Sequence, residues 1–206
     1  PALIHRIMPA ANMETDAAPM FIQTEQTPNP ATLKFLPGRT VMEGDTVDFP
    51  VAPAAGISPL ADCLFAVEGV EGVFLGTDFI SVTKAADRDW QVMKPVVLGA
   101  IMEHFTSGAP VMAAGSASGA VRETADDGAD SDVVAHIKEL LDTRVRPAVA
   151  QDGGDIVFRG FEDGIVYLRM QGSCSGCPSS SATLKVGIEN MLKHFIPEVR
   201  EVRPAE

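Results

Sequence analysis

Between Ser107 and Ser131 the sequence runs SGAPVMAAGSASGAVRETADDGADS, mostly Ala, Gly and Ser with an acidic cluster at Asp126, Asp127 and Asp130. A stretch of this kind buries too little apolar surface to offset the entropy of ordering it. It therefore divides the 206-residue chain into two parts, each with its own core. As a flexible coil of roughly 25 residues it spans on the order of 25–30 Å root-mean-square, a tether that lets the flanking parts move independently. The expected division is an N-terminal extension at 1–19, a first domain at 20–106, the linker at 107–131 and a second domain at 132–206.

Charge narrows the partners. Lys and Arg total 16 against 28 Asp and Glu, a formal net charge of -12. That excess opposes a general phosphate-backbone binder, so no nucleic acid partner is expected. No run approaches the about 18 apolar residues of a membrane-spanning helix, so no membrane association is expected. In the first 19 residues Arg6 is offset by Glu14 and Asp16, which fits neither a transit peptide nor a secretory signal. The extension reads as a disordered tail, and the location as a bacterial cytoplasm, or a mitochondrial matrix if the chain is eukaryotic.

Local patterns give the elements. Phe21–Gln26 and Ala31–Leu36 read as strands around the Thr27-Pro28-Asn29-Pro30 turn. Ser58-Pro59 reads as a helix start, with Leu60, Leu64 and Val67 at helical spacing. Gly72–Leu75 and Phe79–Thr83 form a hairpin. Asp89 caps a longer helix that turns Trp90, Met93, Val97, Ile101 and Phe105 to one side. After the linker, a helix carrying Val134, Ile137, Leu141 and Val145 runs until Arg146-Pro147 stops it. A hairpin at Ile156–Phe161 and Ile165–Met170, a helix from Ser179 to Phe195 with Leu184, Ile188, Met191 and Phe195 inward, and a strand near Val199–Val202 follow. The fold class is α+β: two small α+β domains joined by a flexible linker, each with helices packed on a small sheet.

Of three cysteines, Cys63, Cys174 and Cys177, two carry a chemical signal. Cys174 and Cys177 are the candidate metal and cofactor ligands, in Gly172-Ser173-Cys174-Ser175-Gly176-Cys177-Pro178-Ser179, where a strand gives way to a helix. Two intervening residues let both sulfurs face one ion or cluster, and the helix start favours thiolate over thiol. Zinc, an iron–sulfur cluster and a thiol redox couple all use this spacing. A tetrahedral zinc or a cubane normally takes four protein ligands, and this turn supplies two. A symmetric dimer with two such turns face to face supplies the other pair. Cys63, between Asp62 and Leu64, reads as packing. His104 and His194 read as partners of helix C-terminal dipoles, Gln151–Asp155 as a helix-to-strand turn using two glycines, and Arg146 and Lys185 as solvated surface charges.

The run Arg146-Pro147-Ala148-Val149-Ala150-Gln151-Asp152-Gly153-Gly154-Asp155-Ile156, with the cysteine turn, Ser179-Ser180-Ser181-Ala182-Thr183-Leu184-Lys185 and Gly187-Ile188-Glu189, resembles the C-terminal domain of NifU and Nfu-type iron–sulfur proteins. Phe21–Pro30 with Leu33-Lys34-Phe35 resembles the N-terminal domain of the two-domain Nfu proteins. This resemblance implies a carrier or scaffold, not an enzyme. Such a protein holds a 4Fe-4S cluster between the Cys174 and Cys177 motifs of two subunits, becoming a homodimer on cluster binding. It receives the cluster from upstream assembly proteins and passes it to client apo iron–sulfur proteins. The alternatives are a thiol–disulfide oxidoreductase and a structural zinc-bridged dimer. The first domain shows no catalytic set and is expected to dock clients or partners.

Overall fold

The computed structural model describes residues 21–114, 131–175 and 178–205, and for Ser131 and 178–181 the backbone alone. The expected N-terminal extension and most of the expected linker lie outside the described residues.

The N-terminal unit is a five-stranded antiparallel sheet with two helices on one face. Its strands are β1 (Gln23–Gln26), β2 (Thr32–Leu36), β3 (Val47–Phe49), β4 (Val70–Leu75) and β5 (Ile80–Lys84), in the order β1-β2-β5-β4-β3. Ser58 caps α1 (Pro59–Phe65) by accepting from the Ala61 N–H, and Asp89 caps α2 (Trp90–Ser107) by accepting from the Gln91 N–H. Both caps fall where the sequence placed them, because each side chain satisfies an N–H that the first turn leaves open. Strand alternation sends Leu33, Phe35, Val73, Leu75, Ile80 and Val82 into one core with Leu60 and Leu64 of α1 and Val97 and Ile101 of α2. Val111 and Met112, which composition put in the linker, also pack on this core. β3 is the strand the sequence reading missed: three residues closed off by Pro50 are too short to show a period.

The C-terminal unit is a three-stranded sheet under helices. It comprises α3 (Ser131–Leu140), α4 (Arg146–Gln151), β6 (Gly154–Glu162), β7 (Ile165–Gly172), α5 (Pro178–Phe195) and β8 (Glu201–Pro204). β7 pairs antiparallel with β6 and parallel with β8. The expected stop at Arg146-Pro147 does not occur. Leu141–Val145 forms a π-turn, where the Arg146 N–H reaches Leu141 O, and the helical path continues through Pro147 to Gln151. The wider turn makes Pro147 part of a fresh first turn, where a missing N–H leaves no bond unmade. On α5 the inward set is also shifted: Ile188 and Leu192 are buried, whereas Phe195 is 39% exposed. No helix among the described residues is long and apolar enough to cross a membrane.

His104 is not a charged dipole partner. It is 5% exposed, its Nε2 has no hydrogen-bond partner among the described residues, and burial pushes its pKa below the ordinary 6.5. A histidine held neutral in the fold and free to protonate when unfolded gives the unfolded state more bound protons below about pH 6.5. Stability is therefore full above that pH and lost as pH falls below it. Melting between pH 7.5 and 5.5 is expected to show this decline, and His104→Leu to remove His104's share of it.

Candidate metal centre

Cys174 sits in the turn between β7 and α5, and its position is fixed by glycines. The backbone turns at Gly172 with φ 62°, and the Ser173 N–H donates to Gly153 O at 3.2 Å. Gly153 itself has φ 80°, a left-handed conformation that favours glycine. A Cβ on Gly154 would lie 2.8 Å from Cys174 Sγ and 2.7 Å from Gln171 O. The Gly153-Gly154 turn is thus more than a helix-to-strand connection: its bare backbone is the wall against which the cysteine turn closes. The tightness of that approach, rather than turn chemistry alone, explains two glycines together.

The sulfur is buried, with Cys174 7% exposed and at the margin of the core made by Ile137, Ile156, Leu168 and Leu192. Burial pushes the Cys174 thiol up to about 11; the Ser173 hydroxyl, 3.9 Å from Sγ, counters this, while Asp152 and Asp155 add to it. The expectation that the helix start would favour thiolate is therefore overturned for Cys174. α5 begins at Pro178, four positions on, and desolvation with two nearby carboxylates outweighs the dipole of a helix that distant. Cys177 lies outside the described residues, as do the side chains of Ser179, Ser180 and Ser181.

Cys63 is on α1, its Sγ 3.8 Å from Ala100 O. It belongs to the helical side of the N-terminal sheet, whereas Gly172 next to the cysteine turn meets Phe74 on the other side. The sheet separates Cys63 from Cys174, which agrees with its reading as packing. Among the described residues no group of three or more His, Cys, Asp or Glu is placed to hold a metal ion. His194 is exposed and rests edge-on to Phe195, with ring centroids 4.9 Å apart.

Arg146 is not a solvated surface charge. Its Nε and Nη2 donate to Asp155 Oδ1 and Oδ2, both at 2.9 Å, and its Nη1 donates to Asp142 at 3.1 Å. The hydrogen bonding it donates to Asp155 is the main cause holding the guanidinium pKa above its ordinary value. Asp155 is 4% exposed and also accepts from Thr46 Oγ1 at 2.7 Å. A bidentate fork on a buried carboxylate fixes α4 against the start of β6, directly behind the glycine pair.

The fold defines a two-part α+β chain with a buried cysteine in the strand-to-helix turn of its second part. Residues 22–108 match the model of the Nfu/NifU scaffold protein N-terminal family, and 137–203 match that of the NifU-like domain. The human protein called NFU1 iron-sulfur cluster scaffold homolog, mitochondrial, is 55% identical over 184 residues, covering 89% of this chain and 71% of that protein. NifU-like protein 4, mitochondrial, from Arabidopsis thaliana is 54% identical over 185 residues, covering 89% and 65%. The Drosophila yakuba NFU1 homolog is 52% identical over 202 residues, covering 98% and 69%. The chain belongs to the Nfu/NifU family.

Gly154→Ala is expected to force the cysteine turn away from β6, because its new methyl meets a backbone carbonyl and Sγ together. Overpacking of this kind costs about 1–3 kcal/mol. Denaturant titration checks the loss, and displaced amide resonances at 172–175 check its location.

Proposed function

We propose that the chain is a carrier that holds a 4Fe-4S cluster between two subunits through Cys174 and Cys177 of each, and transfers it to client apoproteins. The observation that carries this reading is the ligand count: the turn's sequence offers two cysteines, and among the described residues no group of three or more His, Cys, Asp or Glu is placed to hold a metal ion. A second copy of the same turn supplies the missing sulfurs with no other residue. The names of the relatives, iron–sulfur cluster scaffolds, support the cargo. Their mitochondrial names favour the matrix if the chain is eukaryotic.

The chemistry suits a carrier. Soft thiolates match iron–sulfur clusters, and the cluster must displace the proton that burial keeps on Cys174. Two ligands per subunit let a client's thiols replace those of the carrier one at a time, or let the subunits part. A buried Cys174 with a raised pKa is itself a poor attacking thiol for a thiol–disulfide oxidoreductase. Upstream assembly proteins supply the cluster in this reading. The N-terminal unit, 20–106 in the proposed division, serves docking, and 132–206 holds the cargo.

Anaerobic reconstitution with iron and sulfide tests the assignment. Wild-type protein is expected to develop broad absorption near about 400 nm with labile sulfide. Cys174→Ala and Cys177→Ala are each expected to lose it while keeping wild-type circular dichroism. A single-cysteine variant that retains a normal cluster contradicts the assignment, and zinc without labile sulfide in protein isolated anaerobically replaces the cargo with a structural ion.

A further inference from the structure

The second face of the N-terminal sheet should, by alternation, meet water. Leu33, Phe35, Val73, Ile80 and Val82 point to the helices, so Thr32, Lys34, Phe74 and Ser81 point away. Yet these four are 2%, 7%, 1% and 1% exposed. The C-terminal unit meets Lys34, Phe74 and Ser81, and its contacts converge on the glycine pair and the cysteine turn. Ser81 Oγ donates to Gly153 O at 2.6 Å, and Lys34 Nζ donates to Gln151 O at 3.1 Å. On one side of Cys174, the Gly172 N–H points to Asp48 Oδ1 at 3.4 Å and a Cβ there would meet Phe74 at 2.9 Å. On the other side, Asn29 Nδ2 donates to Ser175 O at 3.3 Å.

All four bonds go to backbone groups of two adjoining turns, and three of the side chains that make them, Lys34, Asp48 and Ser81, are lined up by strand alternation on one sheet face. Such a face is a shaped receptor for a glycine-rich turn. We infer that the N-terminal sheet is an intramolecular cap on the cysteine turn, and that capping and the meeting of two cysteine turns across a subunit interface exclude one another. The inference rests on the proposed bridging site. It assigns the N-terminal unit a regulatory surface of its own: the chain without cargo is closed, and taking up a cluster between two copies requires the cap to leave.

The full-length chain tests this by ¹⁵N relaxation, which reads whether the two units tumble as one body. The cluster-free wild type is expected to give a single correlation time. Ser81→Arg and Phe74→Arg, each placing a charge on the covered face, are expected to give two shorter ones. Hydrogen exchange at α1 and α2 reports that the N-terminal core is retained in each variant. If the open state is about a tenth of the wild-type population, both variants should take up iron and sulfide about tenfold faster. Wild-type protein with a loaded cluster should tumble as the variants' units do, apart from the mass added by dimerisation. Separate tumbling in cluster-free wild type, uptake no faster in either variant, or a loaded dimer that keeps both units as one body overturns the inference. Failure of every form to take up a cluster refutes the bridging site instead, and the relaxation data on cluster-free protein still decide whether the cap exists.

Discussion

The structure depends on how closely two backbone turns approach. Gly153-Gly154 and Gly172-Ser173-Cys174 stand so near that a single methyl on Gly154 would strike both a carbonyl and the cysteine sulfur. The Ser173 N–H donates to Gly153 O and its hydroxyl to Asp152 O, so the two chain paths are held together by one residue of the cysteine turn. What else holds those paths lies on either side. Arg146 donates two hydrogen bonds to Asp155 behind the glycine pair, and Thr46 of the N-terminal unit donates another from across the boundary. With the Ile156 N–H the buried carboxylate has four donors, which compensate its charge and leave the turn little freedom.

From this constraint follow both the burial of Cys174 and the junction between the units. A turn with glycines at its closest points exposes carbonyls that need partners, and the N-terminal sheet supplies them through Ser81 and Lys34. Lys34 is almost completely buried, yet it reaches Gln151 O, pairs with Glu25 at 3.2 Å and lies over the Phe79 ring at 4.9 Å. Polar groups on a buried sheet face are tolerated because they are bonded. The same bonds give the junction its specificity, since each side chain matches one carbonyl in one register.

Much of this was legible from local sequence. The caps Ser58 and Asp89, the hairpin strands and the helical stripe of α2 follow from short-range rules, and the structure follows them. The placement of Cys174 in a tight turn between a strand and a helix was legible from the glycines around it. Three features were not, each for a physical reason. The helix through Pro147 needs a π-turn, which no periodicity announces. The buried state of Cys174 and His104 depends on packing over them, whereas their neighbours in sequence suggested a helix dipole. The covering of Lys34 and Ser81 arises from residues more than 70 positions away. Alternation identifies a sheet's second face but not whether another part of the chain will lie on it.

The bridging of one cluster by two subunits is the central claim, and native mass spectrometry of the anaerobically reconstituted chain tests it most directly. The account predicts a species of two chains carrying four irons and four sulfides, with single chains free of both. A single chain that carries a complete cluster by itself would contradict it.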